Sequence, residues 1–299
     1  MSVPIVFIHK SNSYYLLVSL DQARRTNPDS EIHLIGDASN DRYSFVHHHK
    51  ISDYLQEAQQ FSEIYQHFNT NPYEFELFCF QRWFILNEFL KLNNIKSCFY
   101  VDSDVMLYTN ISLEKQRFER FDITLSYPPC FDSPSPHCMF INQSETLDDF
   151  CKFTKNIYLD EALMKIMKFQ FEKCNGYGGA CDMTAFREYW FSERSSIGNT
   201  AITLDNSIYD HNINEPNGFE TQYGIKKIYW ISGVPFCQCV ESGEKIQIKL
   251  LHFQGIAKPL MKNYCSHKTT VIKYYMKQLR SKIAYSAKKY VKPSKIFAL

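Results

Sequence analysis

The chain has 299 residues, of which 44% are apolar and 16% aromatic, and a formal net charge of +1. This composition predicts a globular protein with a large buried core and excludes an intrinsically disordered chain. No run of about 18 apolar residues predicts a membrane-spanning helix. The sequence starts in a strand-like run, without the basic segment and cleavage site of a signal peptide. We therefore expect a cytoplasmic protein whose ten cysteines are mostly reduced core residues.

The first part of the chain predicts a β-α-β unit. Residues 4–9 are strand-like, residues 14–26 carry apolar side chains at helical spacing, and residues 31–35 are predicted as a second strand. Crossovers of this kind make parallel sheets whose binding sites lie at the carboxyl ends of the strands. His9 and Asp37 fall at those ends. No Gly-x-Gly-x-x-Gly follows the first strand, which argues against a dinucleotide site.

Residues 38–72 are polar and irregular, and they include the three consecutive histidines 47–49. Three neighbours cannot all face one ion on a regular element, so a surface stretch is preferred over a metal site. A long helix is predicted over 74–92, apolar on nearly all sides and therefore buried. Arg82 lies within it and needs an anionic partner there. That partner is an internal carboxylate in a structural role, or a phosphate or active-site carboxylate in a functional one.

The long helix leads into residues 98–104, on which the functional interpretation depends. Residues 98–101 are apolar, as in a buried strand, and Asp102-Ser103-Asp104 follows. Two carboxylates two residues apart at the end of a strand can turn toward one point. Because adjacent anions repel, the pair favours a bound cation, and hard oxygen ligands suit Mg²⁺ or Mn²⁺. A solvated turn after the strand is the alternative.

The alternation of strands and helices continues through the middle of the chain. Its further predicted elements are strands at 121–126, 138–142, 201–204, 227–231 and 245–250, and a helix at 146–158. Residues 175–186 hold the densest group of glycines, which allows a backbone to approach a ligand closely. Asp182 follows them and opens a helix through Trp190. It is a residue of the helix N-terminus, a carboxylate that faces the reacting carbon, or both.

The last predicted strand runs into residues 251–260, Leu-His-Phe-Gln-Gly-Ile-Ala-Lys-Pro-Leu. Taken alone, a histidine after a strand is more often a satisfied core residue than a ligand. Here His252 is followed by Gly255, which leaves room for a phosphate beside the backbone, and by Lys258, which offers that phosphate a positive charge. The combination favours a binding segment.

Three blocks, in this order, resemble the metal-dependent nucleotide-sugar glycosyltransferases of GT-A fold. The resemblance is nearest to glycosyltransferase family 8, which includes glycogenin and bacterial lipopolysaccharide galactosyl- and glucosyltransferases. Residues 80–83 (Phe-Gln-Arg-Trp) with 87–90 (Asn-Glu-Phe-Leu) resemble the family's Tyr-Ala-Arg-Leu…Pro-Glu-Leu-Leu helix. Residues 100–105 (Tyr-Val-Asp-Ser-Asp-Val) resemble its Tyr-Leu-Asp-Ser-Asp-Val motif. Residues 252–259 resemble its His-x-x-Gly-x-x-Lys-Pro-Trp signature, with Leu260 in place of Trp.

The resemblance covers roughly residues 3–262 and implies an α/β fold of GT-A type. We expect a catalytic domain over 1–262, with a Rossmann-like, mostly parallel sheet flanked by helices, and a basic helical extension over 263–299. Residues 138–143 and 179–183 depart from the family's pattern. Those segments build the sugar and acceptor pockets in the family, so the sequence does not identify the donor sugar, the acceptor or the linkage.

For the metal and the phosphates, the resemblance implies specific ligands. Asp102, Asp104 and His252 are expected to bind Mn²⁺ or Mg²⁺, which bridges the donor's diphosphate. Lys258 and the backbone near Gly255 are expected to hold the phosphates. Negative charge develops on the departing diphosphate when the sugar–phosphate bond breaks, and a divalent metal with a lysine stabilises it.

For the rest of the donor, the resemblance implies that Arg82 lies near the sugar and that His9, Asp37 and Ser103 lie beside the nucleotide. Asp182 is expected to stabilise the cationic anomeric carbon or to orient the acceptor. The expected reaction moves a hexose from a UDP-sugar to a hydroxyl of a glycan, a glycolipid or another acceptor, with retention of configuration. If Asp182 instead deprotonates the acceptor, the enzyme inverts.

Two other classes are kept as alternatives. Phosphohydrolases of the haloacid dehalogenase type also use Asp-x-Asp after a strand, but they need Thr or Val where this chain has Met106. A non-catalytic sugar-nucleotide binder is the second alternative. The intact set of Asp102, Asp104 and His252 argues against it.

The end of the chain is basic. Thirteen of the 33 Lys and Arg follow Glu244 and no acidic residue does, so the first 244 residues carry 20 basic against 32 acidic side chains. Residues 271–291 place apolar side chains near one helical face and basic ones on the others. Such a helix either packs on the catalytic domain or binds an anionic membrane surface that carries a lipid-linked acceptor. Nucleic-acid binding is disfavoured, because no recognisable module accompanies the charge.

Overall fold

The computed structural model describes residues 2–265, 269–273, 275–276, 279–280 and 283. The expected basic extension is therefore described only in part: the described residues from 269 to 283 are helical, and 284–299 lie outside the described residues. No described helix is both long enough and apolar enough to cross a membrane. All ten cysteines lie within the described ranges, and none of them forms a disulfide.

Seven strands form the central sheet. In spatial order they are β3 (His47–Lys50), β2 (Ile32–Gly36), β1 (Ile5–His9), β4 (Cys98–Val101), β7 (Cys138–Ile141), β6 (Ile123–Leu125) and β8 (Ile197–Asn199). The first four strands are parallel, β7 is antiparallel to both its neighbours, and β6 and β8 are parallel. The predicted mostly parallel sheet is confirmed. Strands β1, β2 and β4 are buried throughout, because helices cover both faces of a sheet of this kind.

Within the described residues 2–265, seven α-helices surround this sheet. They are α1 (Leu16–Thr26), α2 (Gln56–Ile64), α3 (Tyr73–Leu92), α4 (Ile111–Phe118), α5 (Ser144–Leu159), α6 (Glu161–Lys173) and α7 (Asp182–Phe191). One apolar cluster joins α2, α3, α5 and α7 to one face of the sheet, and a second joins α1 and α4 to the other face. Helix α3 packs between α2, α5 and α7. This position explains why its apolar side chains are not confined to one stripe.

A second sheet carries the C-terminal part of the site. Its strands are β12 (Tyr229–Ile231), β13 (Val234–Gln238), β14 (Lys245–His252) and β5 (Val105–Leu107), with β9 (Ser207–Tyr209) beside β14, and a separate hairpin contains β10 (Thr221–Gln222) and β11 (Ile225–Lys226). Strand β14 is antiparallel to β5, with His252 opposite Val105. Since β5 begins directly after Asp104, this pairing returns His252 to the Asp-Ser-Asp turn.

Two local expectations need correction. The strand predicted at 201–204 is wrong: only an isolated bridge joins Leu204 to Ser207, and the strand lies at β9 instead. Of the three histidines 47–49, which the sequence predicts at the surface, only His47 is exposed, whereas His48 and His49 are partly buried; all three belong to a regular strand, β3, which pairs with β2. β3 is an edge strand with one side unpaired, and such strands often carry polar residues. Its sequence therefore lacks the apolar pattern from which a strand is predicted.

Candidate active site

A cavity of about 630 Å³ opens at the carboxyl ends of β1 and β4. Nine of the ten predicted site residues line it: His9, Arg82, Asp102, Ser103, Asp104, Asp182, His252, Gly255 and Lys258. The tenth, Asp37, does not. Its carboxylate accepts hydrogen bonds from the backbone N–H groups of Ser11 and Ser39, so it holds the loop that follows β1.

Three potential metal ligands converge in this cavity. Ligand atoms of Asp102, Asp104 and His252 lie within 4.8 Å of one another. Nδ1 of His252 is 2.6 Å from the carbonyl oxygen of His211. Because a carbonyl can only accept, this nitrogen carries the proton and Nε2 keeps its lone pair, 3.7 Å from Oδ1 of Asp104. Metal-binding histidines are oriented in this way, and two carboxylates with one imidazole fit a divalent ion such as Mn²⁺.

Backbone hydrogen bonds on both sides fix the Asp-Ser-Asp turn. The N–H of Asp102 donates to the carbonyl of His137 at 2.8 Å, which extends the β4–β7 pairing by one step. The carbonyl of Asp104 accepts the N–H of Phe253 at 2.9 Å, next to the β5–β14 pairing. The two sheets therefore meet at this turn, and the position of each carboxylate follows from strand pairing.

A buried ion pair lies behind His252, and the sequence did not single it out. Oδ2 of Asp210 accepts the backbone N–H of His252 at 3.2 Å, and Oδ1 lies 2.9 Å from the ammonium of Lys226. Both side chains are almost fully buried. Lys226 also donates to the carbonyl of Asn212 at 2.6 Å. The pair thus supports the backbone that presents the imidazole. Asp210 lies in an irregular segment and Lys226 in a two-residue strand, and neither context carries a sequence signal.

The imidazole of His252 also stacks on His137, with ring centroids 4.1 Å apart and planes 10° apart. Burial, together with His252 and His211, lowers the pKa of His137 well below the usual value for histidine. Burial likewise lowers the pKa of His211 to about 4. Both neighbours are therefore neutral near pH 7 and add no positive charge beside the potential metal ligands.

Arg82 joins two carboxylates in the middle of the cavity. Its guanidinium donates to Asp102 and to Asp182, each at 2.7 Å. Tyr100 donates its hydroxyl to the same Asp102 oxygen at 2.6 Å, and the indole of Trp83 donates to Asp182 at 2.9 Å. Burial opposes the charge of Arg82, but Asp102, Tyr100 and Asp182 together outweigh burial and raise the pKa of the guanidinium. The anionic partners expected of Arg82 are thus carboxylates of the cavity.

Asp182 is the first residue of α7 and is 4% exposed. Cys181, not Asp182, caps the helix, in a capping box with Thr184. One oxygen of Asp182 accepts the N–H of Met183 at 3.0 Å, and the other accepts from Arg82 and Trp83. Its carboxylate is therefore held by three N–H donors in the wall of the cavity.

The segment after β14 contributes a cation and an open backbone. The ammonium of Lys258 lies 3.2 Å from Asp104 and 5.4 Å from the ring centroid of Tyr15. Burial opposes its charge, but Asp104 outweighs burial and raises the pKa of Lys258. Gly255 has φ +59 at the start of a 3₁₀ helix, and no other atom occupies the space where a Cβ would point. The cavity lining holds four carboxyl groups, on Glu76, Asp102, Asp104 and Asp182, against three cationic side chains, Lys10, Arg82 and Lys258, an imbalance that favours a further positive ion.

His9 lies at the other side of the Asp-Ser-Asp turn. Its Nδ1 is 2.8 Å from the hydroxyl of Ser103, and its Nε2 is 2.9 Å from the hydroxyl of Ser13. The ring meets Tyr15 edge to face at 5.8 Å. Asn40 donates to the carbonyl of His9 at 2.7 Å and so ties β1 to the loop after β2. The cavity wall around His9 therefore combines aromatic and polar side chains, next to the segment that carries Lys258.

The sequence matches no protein-family model, and no curated protein matches it significantly. Solved structures are similar to it. The apo structure of mouse xyloside xylosyltransferase 1 aligns with a TM-score of 0.53 and 12% identity, over 85% of this chain and 98% of that one. A structure of an active-site mutant of LgtC aligns with a TM-score of 0.49 and 11% identity, over 92% of this chain and 95% of that one. The first likeness shows the fold: the chain has the GT-A fold, as the three sequence blocks implied.

Proposed function

We propose that the chain is a metal-dependent glycosyltransferase that moves a hexose from a UDP-sugar to a hydroxyl of a glycan, a glycolipid or another acceptor. The observation that carries this proposal is the convergence of Asp102, Asp104 and His252 in one cavity at the carboxyl ends of a GT-A sheet. The GT-A fold of mouse xyloside xylosyltransferase 1 supports the same class.

The three converging residues would hold a divalent metal, Mn²⁺ or Mg²⁺, which supplies Lewis-acid stabilisation of the departing diphosphate. Lys258 adds a fixed positive charge 3.2 Å from Asp104, and the backbone at Gly255 is open for a phosphate to approach. His9 and Ser103, joined by a 2.8 Å hydrogen bond, are proposed to bind the nucleotide. Asp37 is proposed to act indirectly, by holding the loop at Ser11 that borders this corner.

Asp182 is proposed to stabilise positive charge on the anomeric carbon, with Arg82 fixing its position. Both oxygens of its carboxylate already accept N–H donors, one of them a guanidinium. A base that deprotonates an acceptor must instead present an oxygen within hydrogen-bond reach of the hydroxyl. The contacts of Asp182 therefore favour an electrostatic role and retention of configuration over an inverting mechanism.

The C-terminal extension is proposed to hold the enzyme on an anionic membrane surface near a lipid-linked acceptor, from the cytoplasmic side. Four apolar side chains in its described part, Ile272, Met276, Leu279 and Ile283, are each about half exposed or more. That exposure favours surface attachment over packing on the catalytic domain. The chain should sediment with vesicles that contain phosphatidylserine and stay in solution with purely zwitterionic ones; equal sedimentation with both contradicts the proposal.

Titration calorimetry with UDP, with and without Mn²⁺, tests the proposed function. Wild type should bind UDP in the micromolar range only with Mn²⁺ present, and Asp104→Ala should lose most of this binding. Asp53→Ala removes an exposed carboxylate outside the cavity and serves as the charge-matched control, which should bind as wild type does. If wild type fails to bind UDP with Mn²⁺ present, the UDP assignment is wrong; GDP and CMP are then the next nucleotides to titrate.

A further inference from the structure

The cavity contains a fourth carboxyl group that the proposed mechanism does not use. Glu76 lies in the first turn of α3, lines the cavity and is 2% exposed. Its Oε1 accepts a hydrogen bond from the side-chain amide of Asn71 at 2.7 Å. Its Oε2 is buried and has no hydrogen-bond partner among the described residues. Buried polar atoms are nearly always hydrogen-bonded, so an unpartnered oxygen in a cavity wall points to a bound group.

The position of Glu76 defines which part of a donor it can reach. Along α3 it precedes Arg82 by six residues, and it lines the same cavity as Asp182, Gly178 and Gly179. The potential metal ligands and Lys258 lie on the far side of Arg82, which bonds Asp102 on one side and Asp182 on the other. Glu76 therefore belongs to the end of the cavity proposed for the sugar and not to the end proposed for the diphosphate.

Hydrogen bonds fix the loop that carries Asn71, the partner of Glu76. The N–H of Thr70 donates to the carbonyl of Gly178 at 2.9 Å, and the side-chain amide of Asn69 donates to the carbonyl of Ala180 at 3.1 Å. Asn69 also accepts the N–H of Asn71 at 2.9 Å. The loop and the glycine-rich segment thus brace each other, and Asn71 and Glu76 have defined positions before any ligand binds.

The chemistry of Glu76 suits a hydroxyl group. Burial, reinforced by the charge of Asp182, raises the pKa of Glu76, although Asn71 and Arg82 act in the opposite direction. A second carboxylate or a phosphate at this point would add another negative charge to a cavity wall already rich in carboxylates. A sugar hydroxyl adds none, and it can both donate to and accept from a carboxyl group.

We propose that Glu76, held by Asn71, forms a hydroxyl-binding subsite for the hexose of the donor, with Oε2 as the contacting atom. This inference rests on the proposed function. A buried group that gains its partner only from a substrate hydroxyl discriminates strongly against sugars that lack this hydroxyl. Glu76 is thus a specificity-determining residue of the cavity, which it lines together with Gly179, the first residue of a segment that departs from the family's pattern.

The test compares UDP with UDP-hexoses by titration calorimetry with Mn²⁺ present, for wild type and Glu76→Met. UDP-glucose and UDP-galactose are the probes, and the one of the two that binds wild type more tightly is used further. Loss of one hydrogen bond to a carboxyl group should weaken binding of that UDP-hexose about tenfold or more, with UDP affinity unchanged. Glu74→Gln, an exposed glutamate of the same helical turn, should match wild type. Glu76→Gln, which keeps one acceptor and the shape, should fall in between.

Thermal unfolding separates this role from a structural one. Glu76→Met removes a buried carboxyl group whose Oε2 has no partner within the described protein, and the exposed Asn71 amide, which loses its acceptor, can bond to water instead. The melting temperature should therefore stay the same or rise. A structural residue would instead lower the melting temperature and weaken UDP and UDP-hexose together. That outcome overturns the subsite, as does an unchanged UDP-hexose affinity or a change in acceptor KM alone. If UDP itself fails to bind wild type, the proposed function fails, which is a different result.

Discussion

The two ends of the cavity are built from different kinds of structure. At the end proposed for the metal and the phosphates, Asp102, Asp104 and His252 lie at the ends of β4, β5 and β14, where backbone hydrogen bonds fix them. At the end proposed for the sugar, Asp182 and Glu76 lie in the first turns of α7 and α3, next to loops. Strand ladders give the first end its geometry, whereas individual side-chain contacts give the second end its geometry.

This difference has a functional consequence. A strand ladder tolerates many side chains, so the three ligands can stay in register while the surrounding sequence changes. Loops and helix ends tolerate insertions and substitutions more readily, and they are where binding specificity usually lies. The end proposed for the diphosphate is therefore the one set by strand pairing, and the end proposed for the sugar is the one set by individual side chains.

Replacing Arg82, which joins the two ends of the cavity, should have the largest effect on stability and activity. Arg82 bonds Asp102 and Asp182 at once, so Arg82→Met leaves the buried Asp182 and the partly buried Asp102 without their cation. The loss in the free energy of unfolding should be about 3 kcal/mol, as for breaking a buried ion pair. Urea denaturation measures it, and both UDP binding and transfer should fall with it.

A second variant checks that unpaired charge causes this loss. The double variant Arg82→Met/Asp182→Asn leaves only one carboxylate, that of Asp102, without its cation. Part of the lost free energy of unfolding should therefore return, while activity stays low. Arg82→Lys should lie between wild type and Arg82→Met, because one ammonium does not match the two-sided geometry of a guanidinium. Equal stability of Arg82→Met and wild type would show that the two ends are energetically independent.

The sequence predicted the elements whose signals are local. The apolar run of β4 lies at the predicted residues 98–101, and α3 begins one residue before the predicted 74–92. Both depend on contiguous side-chain patterns that burial imposes directly. The predicted strand at 201–204 failed because a short apolar run in an irregular region does not specify a partner strand, and here the pairing with β14 begins at Ser207.

The candidate site was predictable as a set of residues but not as a geometry. Nothing local indicates that β14 pairs with β5 across more than a hundred residues, and only this pairing places His252 beside Asp104. Asp210, Lys226 and Glu76 were missed for a related reason. A charged residue in a sequence is usually exposed, and only the folded chain shows which ones are buried and what they contact.

Removing the hydrogen bond that Asp210 accepts from the backbone N–H of His252 should have an intermediate effect. It should weaken metal binding only. Two double variants make the comparison: Asp210→Asn/Lys226→Met and Asp210→Ala/Lys226→Met. Both remove the buried ion pair, but only asparagine keeps an oxygen that can accept the N–H of His252. The alanine variant should bind Mn²⁺ in the presence of UDP about tenfold more weakly than the asparagine variant. Equal Mn²⁺ affinities in the two variants would show that the Asp210–Lys226 pair contributes to folding and not to metal binding.

Adding a methyl group at Gly179, at the end of the cavity proposed for the sugar, should change ligand affinity least. It should leave UDP binding intact. Gly179 has φ +148, and a Cβ there would meet the carbonyl oxygen of Phe68 and lie 2.7 Å from Cα of Asn69. Gly178 has φ +77, but a Cβ there would meet nothing within 4 Å. Gly178→Ala should therefore cost about 1 kcal/mol of backbone strain, and Gly179→Ala at least as much. Only Gly179→Ala should also displace the loop that holds Asn71 and so weaken binding of the UDP-hexose.

Calorimetry with UDP and with the UDP-hexose separates these two contributions, because strain alone does not distinguish the ligands. Gly179→Ala should lower affinity for the UDP-hexose several-fold at unchanged UDP affinity, whereas Gly178→Ala should change neither. If Gly179→Ala weakens both ligands equally, the loop supports the whole cavity, and the division between a strand-built end and a loop-built end does not hold. If the two alanine variants behave alike, the close approach of Gly179 to Asn69 has no part in sugar binding, and Glu76 must be positioned by α3 alone.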